Sequence, residues 1–173
     1  MKRLAAVATF VAALAAARPG AAAWPWSDDT PQMSASLCRV PETALFTCKV
    51  STRVVSICGQ PQGGAVYRFG RQGHVELEVT GLHYVEHGFS DGGETQVYAD
   101  TPTHRYIVYD QIMRTAFGPD GHHDPQAQSG LLVQSGGQIV SSRTCTEPMT
   151  FSPLAEKLIP GGDYVPHRPR PSA

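Results

Sequence analysis

From Leu45 to Arg143 the apolar residues recur at every second position, in short runs cut by clusters of Gly, Pro, Asp and Ser. A period of two sends successive side chains to opposite faces of an extended chain, so each run can bury one face and wet the other. No stretch between residues 38 and 145 sustains the 3.6 period of an amphipathic helix. The pattern predicts an all-β domain with strands near 43–50, 53–58, 64–70, 74–80, 94–100, 104–110, 130–135 and 138–143. These are about eight strands in an antiparallel meander, which forms a small barrel or a sandwich. Alternation alone selects neither. Residues 153–159 are the exception: Ser152 as cap and Pro153 at the first position predict a short C-terminal helical turn.

The two ends of the chain have different compositions. Lys2 and Arg3 precede an apolar run from Leu4 to Ala17, a helix-breaking Arg18-Pro19-Gly20, and Ala21-Ala22-Ala23. That order of charge, apolar core and small residues is the signature of a secretory signal peptide over 1–23, with cleavage expected after Ala23. The apolar run is shorter than the roughly 20 residues that span a bilayer, so no transmembrane segment is expected after cleavage. No cysteine sits at the cleavage point and no twin-arginine pair precedes the run, so neither a lipid anchor nor a preloaded cofactor is expected. The 41% hydrophobic content of the whole chain falls to about 36% once this segment is removed. Without Lys2, Arg3 and Arg18, eleven basic residues face fifteen acidic ones. Such a balance lacks the basic footprint of a general nucleic-acid binder. Residues 24–37 read as a flexible arm, 38–159 as a single β domain, and 160–173 as a disordered Pro/Arg-rich tail.

All four cysteines, Cys38, Cys48, Cys58 and Cys145, follow the export segment. An even number in an exported chain points to two disulfides. Four-thiolate metal binding would need close pairs such as C-x-x-C, and the nearest neighbours here are ten apart. Strand parity then favours one pairing. Phe46, Cys48 and Val50 share a face, and after a Ser51-Thr52 turn Val55 and Ile57 lie on that same face. Cys58 therefore points away from Cys48. The preferred pairing is Cys38–Cys58 with Cys48–Cys145, and closing the longer loop contributes about 4 kcal/mol in the chain-entropy model.

Two hairpins can be given a register. Placing Tyr67, Phe69, Val75, Leu77 and Val79 on the core face pairs 69 with 75 and 67 with 77, across Arg71-Gln72-Gly73. Arg68 then faces Glu76 on the outside, an exposed pair of the kind that contributes about 0.2–1 kcal/mol. Gly136-Gly137 centres a second hairpin pairing Val133 with Val140.

The residues that could carry chemistry are few. His83-Tyr-Val-Glu86-His87 matches the inverted zinc-peptidase motif H-x-x-E-H, which needs both histidines one turn apart on a helix. Gly81 and Gly88 bracket the segment and leave less than two turns, so the expectation is a loop with two exposed histidines. His122-His123-Asp124, close to Asp120, lies in the long polar loop from Gly118 to Gly130. It is a candidate for a weak transition-metal site, whose affinity would fall below about pH 6 as the imidazoles protonate. There is no G-x-S-x-G elbow for a serine nucleophile. Glu76 and Glu78, on one strand face, read as solvated charges rather than a glycosidase pair. Tyr106 and Tyr109 are an odd number apart and face opposite sides, so one of them is expected outside the core. With Arg68 and Arg105 they are the candidate partner-binding residues, because exposed tyrosine beside arginine is hot-spot composition.

The order Cys38…Glu42…Phe46-Thr-Cys48…Ser56-Ile57-Cys58…Tyr67-Arg68-Phe69-Gly70, followed by Gly92-Gly93-Glu94, Tyr106-Ile107-Val108-Tyr109 and Gly130-Leu131-Leu132-Val133, resembles a family of small exported bacterial β proteins of uncharacterised function. The chain departs from that pattern at the first turn, where Ser51-Thr52 stands in place of a glycine. The resemblance implies an exported β domain and carries no catalytic residue. A looser architectural likeness is to periplasmic lysozyme inhibitors.

The leading expectation is a non-enzymatic binding module in the periplasm or outside the cell. Its partner would be a protein or envelope component, it would need no cofactor, and loops 81–93 and 117–130 would form its variable face. The competing expectation is a metal-binding protein or metal-dependent hydrolase using His83, His87, His122 and His123. The two loops must lie at the same end of the fold for a shared site to exist. A third reading, a structural component of an oligomer, requires an exposed apolar edge or patch.

Overall fold

The computed structural model describes residues 36–114 and 117–167. The segment read as a signal peptide, most of the N-terminal arm, residues 115–116 and residues 168–173 therefore lie outside the described residues. Among those described, nine strands form two antiparallel sheets, an open sandwich rather than a closed barrel. The first sheet runs β1 (Thr43–Val50), β2 (Arg53–Gly59), β3 (Ala65–Arg71), β4 (His74–Val79) in spatial order. The second runs β5 (His83–Phe89), β6 (Gly92–Asp100), β7 (Arg105–Met113), β8 (Gln126–Ser135), β9 (Gln138–Thr144). A short helix, α1 (Leu154–Leu158), follows; Pro153 and not Ser152 holds the N-cap position, while the Ser152 hydroxyl accepts from the Leu154 amide at 3.3 Å. No described helix is long and apolar enough to cross a membrane.

One strand was not expected. β5 occupies the segment that the sequence assigns to a loop, and it pairs along its whole length with β6, from His83 opposite Tyr98 to Phe89 opposite Gly92. It is an edge strand that buries little, so its alternation is carried by Tyr, Val and His rather than by strong apolar residues.

Alternation puts one face of each sheet into a shared core. Phe46, Val55, Ile57 and Tyr67 from the first sheet pack against Val97, Ala99, Val108 and Leu131 from the second. Phe151 and Ala155, after the last strand, close one side of that core, with the Phe151 ring 4.6 Å from that of Phe46. Cys48 is bonded to Cys145 and Cys38 to Cys58, the pairing that parity favours. Cys48 sits on the inner face of β1 and meets the residue that follows β9. Cys58 points to the outer face and meets the arm.

Both specified registers shift. In β3–β4 the loop is Gln72-Gly73, and a bulge at Gly70 moves Phe69 opposite Leu77 and Arg68 opposite Glu78. Gly70 permits this because a Cβ there would lie 2.3 Å from the His74 carbonyl oxygen. Glu76 instead forms an ion pair with Arg53 at 2.6 Å. In β8–β9 a bulge sets Val133 opposite Ser141, and Val140 is left exposed on the edge strand. In both hairpins a two-residue turn joins the strands, and the extra residue is absorbed as a bulge. The first turn, Ser51-Thr52, holds Ser51 at φ 59°, a region that favours glycine.

The outer faces are not bare. Ser36–Glu42 lies over the outer face of β2 and β3, where the Leu37 amide donates to Ser56 Oγ at 3.1 Å and Leu37 is buried. Gly161–His167 lies over the outer face of β5, β6 and β7. The second strip lies in the segment that the sequence reads as a disordered tail from residue 160, whose residues 168–173 are outside the described residues. Its Pro- and Gly-rich composition also holds Tyr164 and Val165, and the face beneath supplies partners for its main chain.

Candidate functional site

The β5–β6 turn and the β7–β8 connection lie at one end of the second sheet. They are tied by the Arg114 amide donating to the Asp91 carbonyl at 2.7 Å. Between them opens a cleft of about 700 Å³. Its walls include Phe89, Ile112 and Pro125, and its floor carries Glu86, Thr95 and Asp110. Glu86, Thr95 and Asp110 are cross-strand neighbours on β5, β6 and β7, so their side chains share the inner face where it runs past the first sheet. Asp110 Oδ2 accepts the Phe151 amide at 2.8 Å, and burial still pushes its carboxyl above the usual carboxylate range. Tyr84 donates to Glu86 Oε1 at 2.5 Å, and burial together with that carboxylate pushes its hydroxyl well up. Ile112 is 55% exposed at the rim and Phe117, on the β7–β8 connection, is 71% exposed. An open cleft with apolar walls and a few converging carboxylates can take an apolar or cationic group of a partner.

The candidate histidines do not gather. His83 and His87 share a face of β5, but four residues of extended chain separate them by about 13 Å. The zinc-peptidase geometry, which needs one helical turn, is therefore absent from this segment. His83 stacks on Tyr98 at 5.1 Å and His87 on Tyr164 at 4.1 Å. His123 packs on Phe117 at 3.8 Å, the His122 amide bonds Asp120 Oδ1 at 3.1 Å, and Asp124 is exposed in the same connection. Among the described residues the only metal-type cluster is Cys38, Glu42 and Cys58, and there both sulfurs are tied in the disulfide.

The four proposed partner-binding residues also separate. Arg68, read as an exposed outer residue, is only 2% exposed. The bulge gives it Glu78 at 2.8 Å, and the arm brings Glu42, which it grips with both Nη1 and Nη2, the latter at 2.8 Å. Tyr106 points inward and packs its ring 5.5 Å from Tyr67. Tyr109 points outward, as parity requires, but is 4% exposed because Gly161–His167 covers it, with His167 at 5.3 Å. Arg105 is half-buried, bonded to Asp100 at 2.7 Å and placed 4.5 Å over the Tyr98 ring. These residues build the scaffold and do not form one surface.

The residues that the sequence did not single out lie under the C-terminal strip. Gln96 is fully buried and uses its whole amide. Its Oε1 accepts the Val165 amide at 3.0 Å, and its Nε2 donates to the Val165 carbonyl at 2.9 Å and to Glu94 Oε1 at 2.8 Å. The Tyr98 hydroxyl accepts the Asp163 amide at 3.1 Å. The Glu94 side chain, 0% exposed, takes His167 Nε2 at 2.6 Å. Their only sequence signal is the alternation Glu94-x-Gln96-x-Tyr98, which marks one polar face of β6. No family model matches the chain, and no curated protein or solved structure matches it.

Proposed function

We propose that this chain is an exported binding module of the cell envelope or secretions, working by recognition and without chemistry of its own. The observation that carries the reading is the end cleft. Its rim presents solvent-exposed Ile112 on a strand held rigidly by neighbours on both sides, with Asp110 and Glu86 behind it. Two disulfides accord with an oxidising compartment. One version of the reading is inhibition of a lysozyme, a strongly cationic partner that the acidic floor of the cleft would suit. The test uses the disulfide-bonded chain and an Ile112→Asp variant as baits for envelope and secreted proteins, with lysozyme inhibition assayed alongside. The expected result is a partner held by the native chain and lost with the variant. Identical partner sets on both baits would remove the cleft as the binding surface.

A further inference from the structure

We propose that the outer face of β5, β6 and β7 is a recognition groove for an extended segment of a partner protein, in which the chain's own Gly161–His167 sits as a displaceable stand-in. The inference is independent of the end cleft and rests on how this strip is held.

Most of the strip's contacts read main chain. The Tyr84 amide donates to the Pro160 carbonyl at 2.9 Å, and the Tyr84 carbonyl accepts the Gly162 amide at 2.8 Å. The Tyr98 hydroxyl takes the Asp163 amide, and Gln96 clasps both polar groups of Val165. Such contacts are indifferent to which chain supplies the segment, and they are the basis of extended-peptide recognition. Side-chain selectivity comes from three places. Val165 fills a pocket of Tyr98, Ile107, Tyr109 and Leu132. Tyr164 stacks on His87, and His167 meets the buried Glu94 carboxylate. A fitting occupant is therefore extended, with a glycine where the chain passes Tyr98, an aromatic residue two positions later, then a β-branched apolar residue, then an imidazole or other hydrogen-bond donor two positions after that. The buried Glu94 carboxyl favours a donor at that position, because a buried polar group is costly unless its hydrogen bonds are made.

Two features make the strip replaceable. No disulfide or buried arginine ties it down, unlike the N-terminal strip, and it begins with Gly161-Gly162 directly after Pro160. Gly162 passes so close to the sheet that a Cβ would lie 2.5 Å from the Tyr98 hydroxyl. The groove also holds polar atoms that the strip leaves unused. Among the described residues, buried His83 Nδ1 at one end and Gln111 Oε1 at the other have no hydrogen-bond partner, and Gln111 is 5% exposed. Buried polar atoms in native proteins are nearly always paired, so the groove offers more than its own strip takes.

The test uses the full chain and, as probe, a labelled synthetic peptide of residues 161–173. An intramolecular strip competes at an effective concentration of about millimolar, so the native chain should bind the probe weakly. A Val165→Glu chain, whose own strip is weakened, should bind it at least about tenfold tighter. Adding Gln96→Leu to that variant should abolish the gain. In the native chain the Asp163 and Val165 amides should exchange with deuterium at least about tenfold faster than amides of β6 and β7, through local opening. Excess probe should accelerate that exchange further. Strip amides that exchange only as slowly as the core would overturn the proposal, and this measurement needs no variant. So would a Val165→Glu chain that keeps its circular dichroism and melting transition yet binds the probe no better than the native chain.

Discussion

Each outer face of the sandwich is covered by a strip from one end of the described chain, and the two strips are held by different physics. Ser36–Glu42 is tied by the Cys38–Cys58 disulfide and by a bidentate Arg68–Glu42 contact beneath it. Gly161–His167 is held by hydrogen bonds to Gln96, Tyr98 and Glu94 and by one apolar anchor, Val165. The first combines a covalent bond with a buried charge, so releasing it means reducing a bond or stranding an ion. The second exchanges protein hydrogen bonds for water hydrogen bonds, and each such exchange is worth only about 0.5–1.5 kcal/mol. A small protein with a modest core thus has one permanent cover and one reversible cover.

The comparison can be broken most sharply at Arg68. Arg68→Ala removes the buried guanidinium from Glu42, which keeps only the Arg39 amide at 2.7 Å, and should destabilise the fold by about 3 kcal/mol in chemical denaturation. The same pairs make the native chain acid-sensitive. Bonding to Arg68 holds the Glu42 and Glu78 carboxyls below their ordinary value near 4.5, so their contribution is present above that pH and is lost as pH falls through the lowered values. Asp110, held high by burial, acts with the opposite sign and favours the folded state at acid pH. The stability-against-pH curve of Arg68→Ala should accordingly be flatter on its acid side than that of the native chain. An equally steep acid limb would show that the N-terminal strip is not held by charge.

Of similar size, replacing Cys38 and Cys58 together by serine opens a loop of 20 residues and should lower stability by about 3 kcal/mol. Exchange should then rise at Leu37 and Ser56, with the C-terminal strip unaffected. Smallest is Tyr98→Phe, which removes the acceptor of the Asp163 amide. It should cost about 0.5–1.5 kcal/mol and raise exchange in the C-terminal strip alone. A global loss as large as that of Arg68→Ala would mean that both strips are integral to the fold and would erase the distinction between them.

How much of this was legible in the sequence depends on the range of the interaction. The period of two marked the inner faces, and the same parity favoured the Cys38–Cys58 and Cys48–Cys145 bonds, because side-chain direction along a strand is a local property. Loop residues at the β7–β8 end were also recognisable. Arg68 was misplaced because one bulge at Gly70 changes its cross-strand partner, and the isolated glycine in the strand run is its one local hint. β5 was missed because an edge strand need bury little. Parity set Tyr106 and Tyr109 on opposite faces, yet it reveals neither which of them turns outward nor that a segment more than fifty residues later covers Tyr109.

What the sequence determined by itself is the all-β class, the facing of most strand residues and the preferred disulfide partners, all consequences of alternation. Only the tertiary structure decided between sandwich and barrel, set the two bulged registers, and brought Glu42 to Arg68 and Val165 to Gln96. Those outcomes depend on which distant segments pack together, and burying a polar side chain such as Gln96 is tolerable only once its far-off hydrogen-bond partner has arrived.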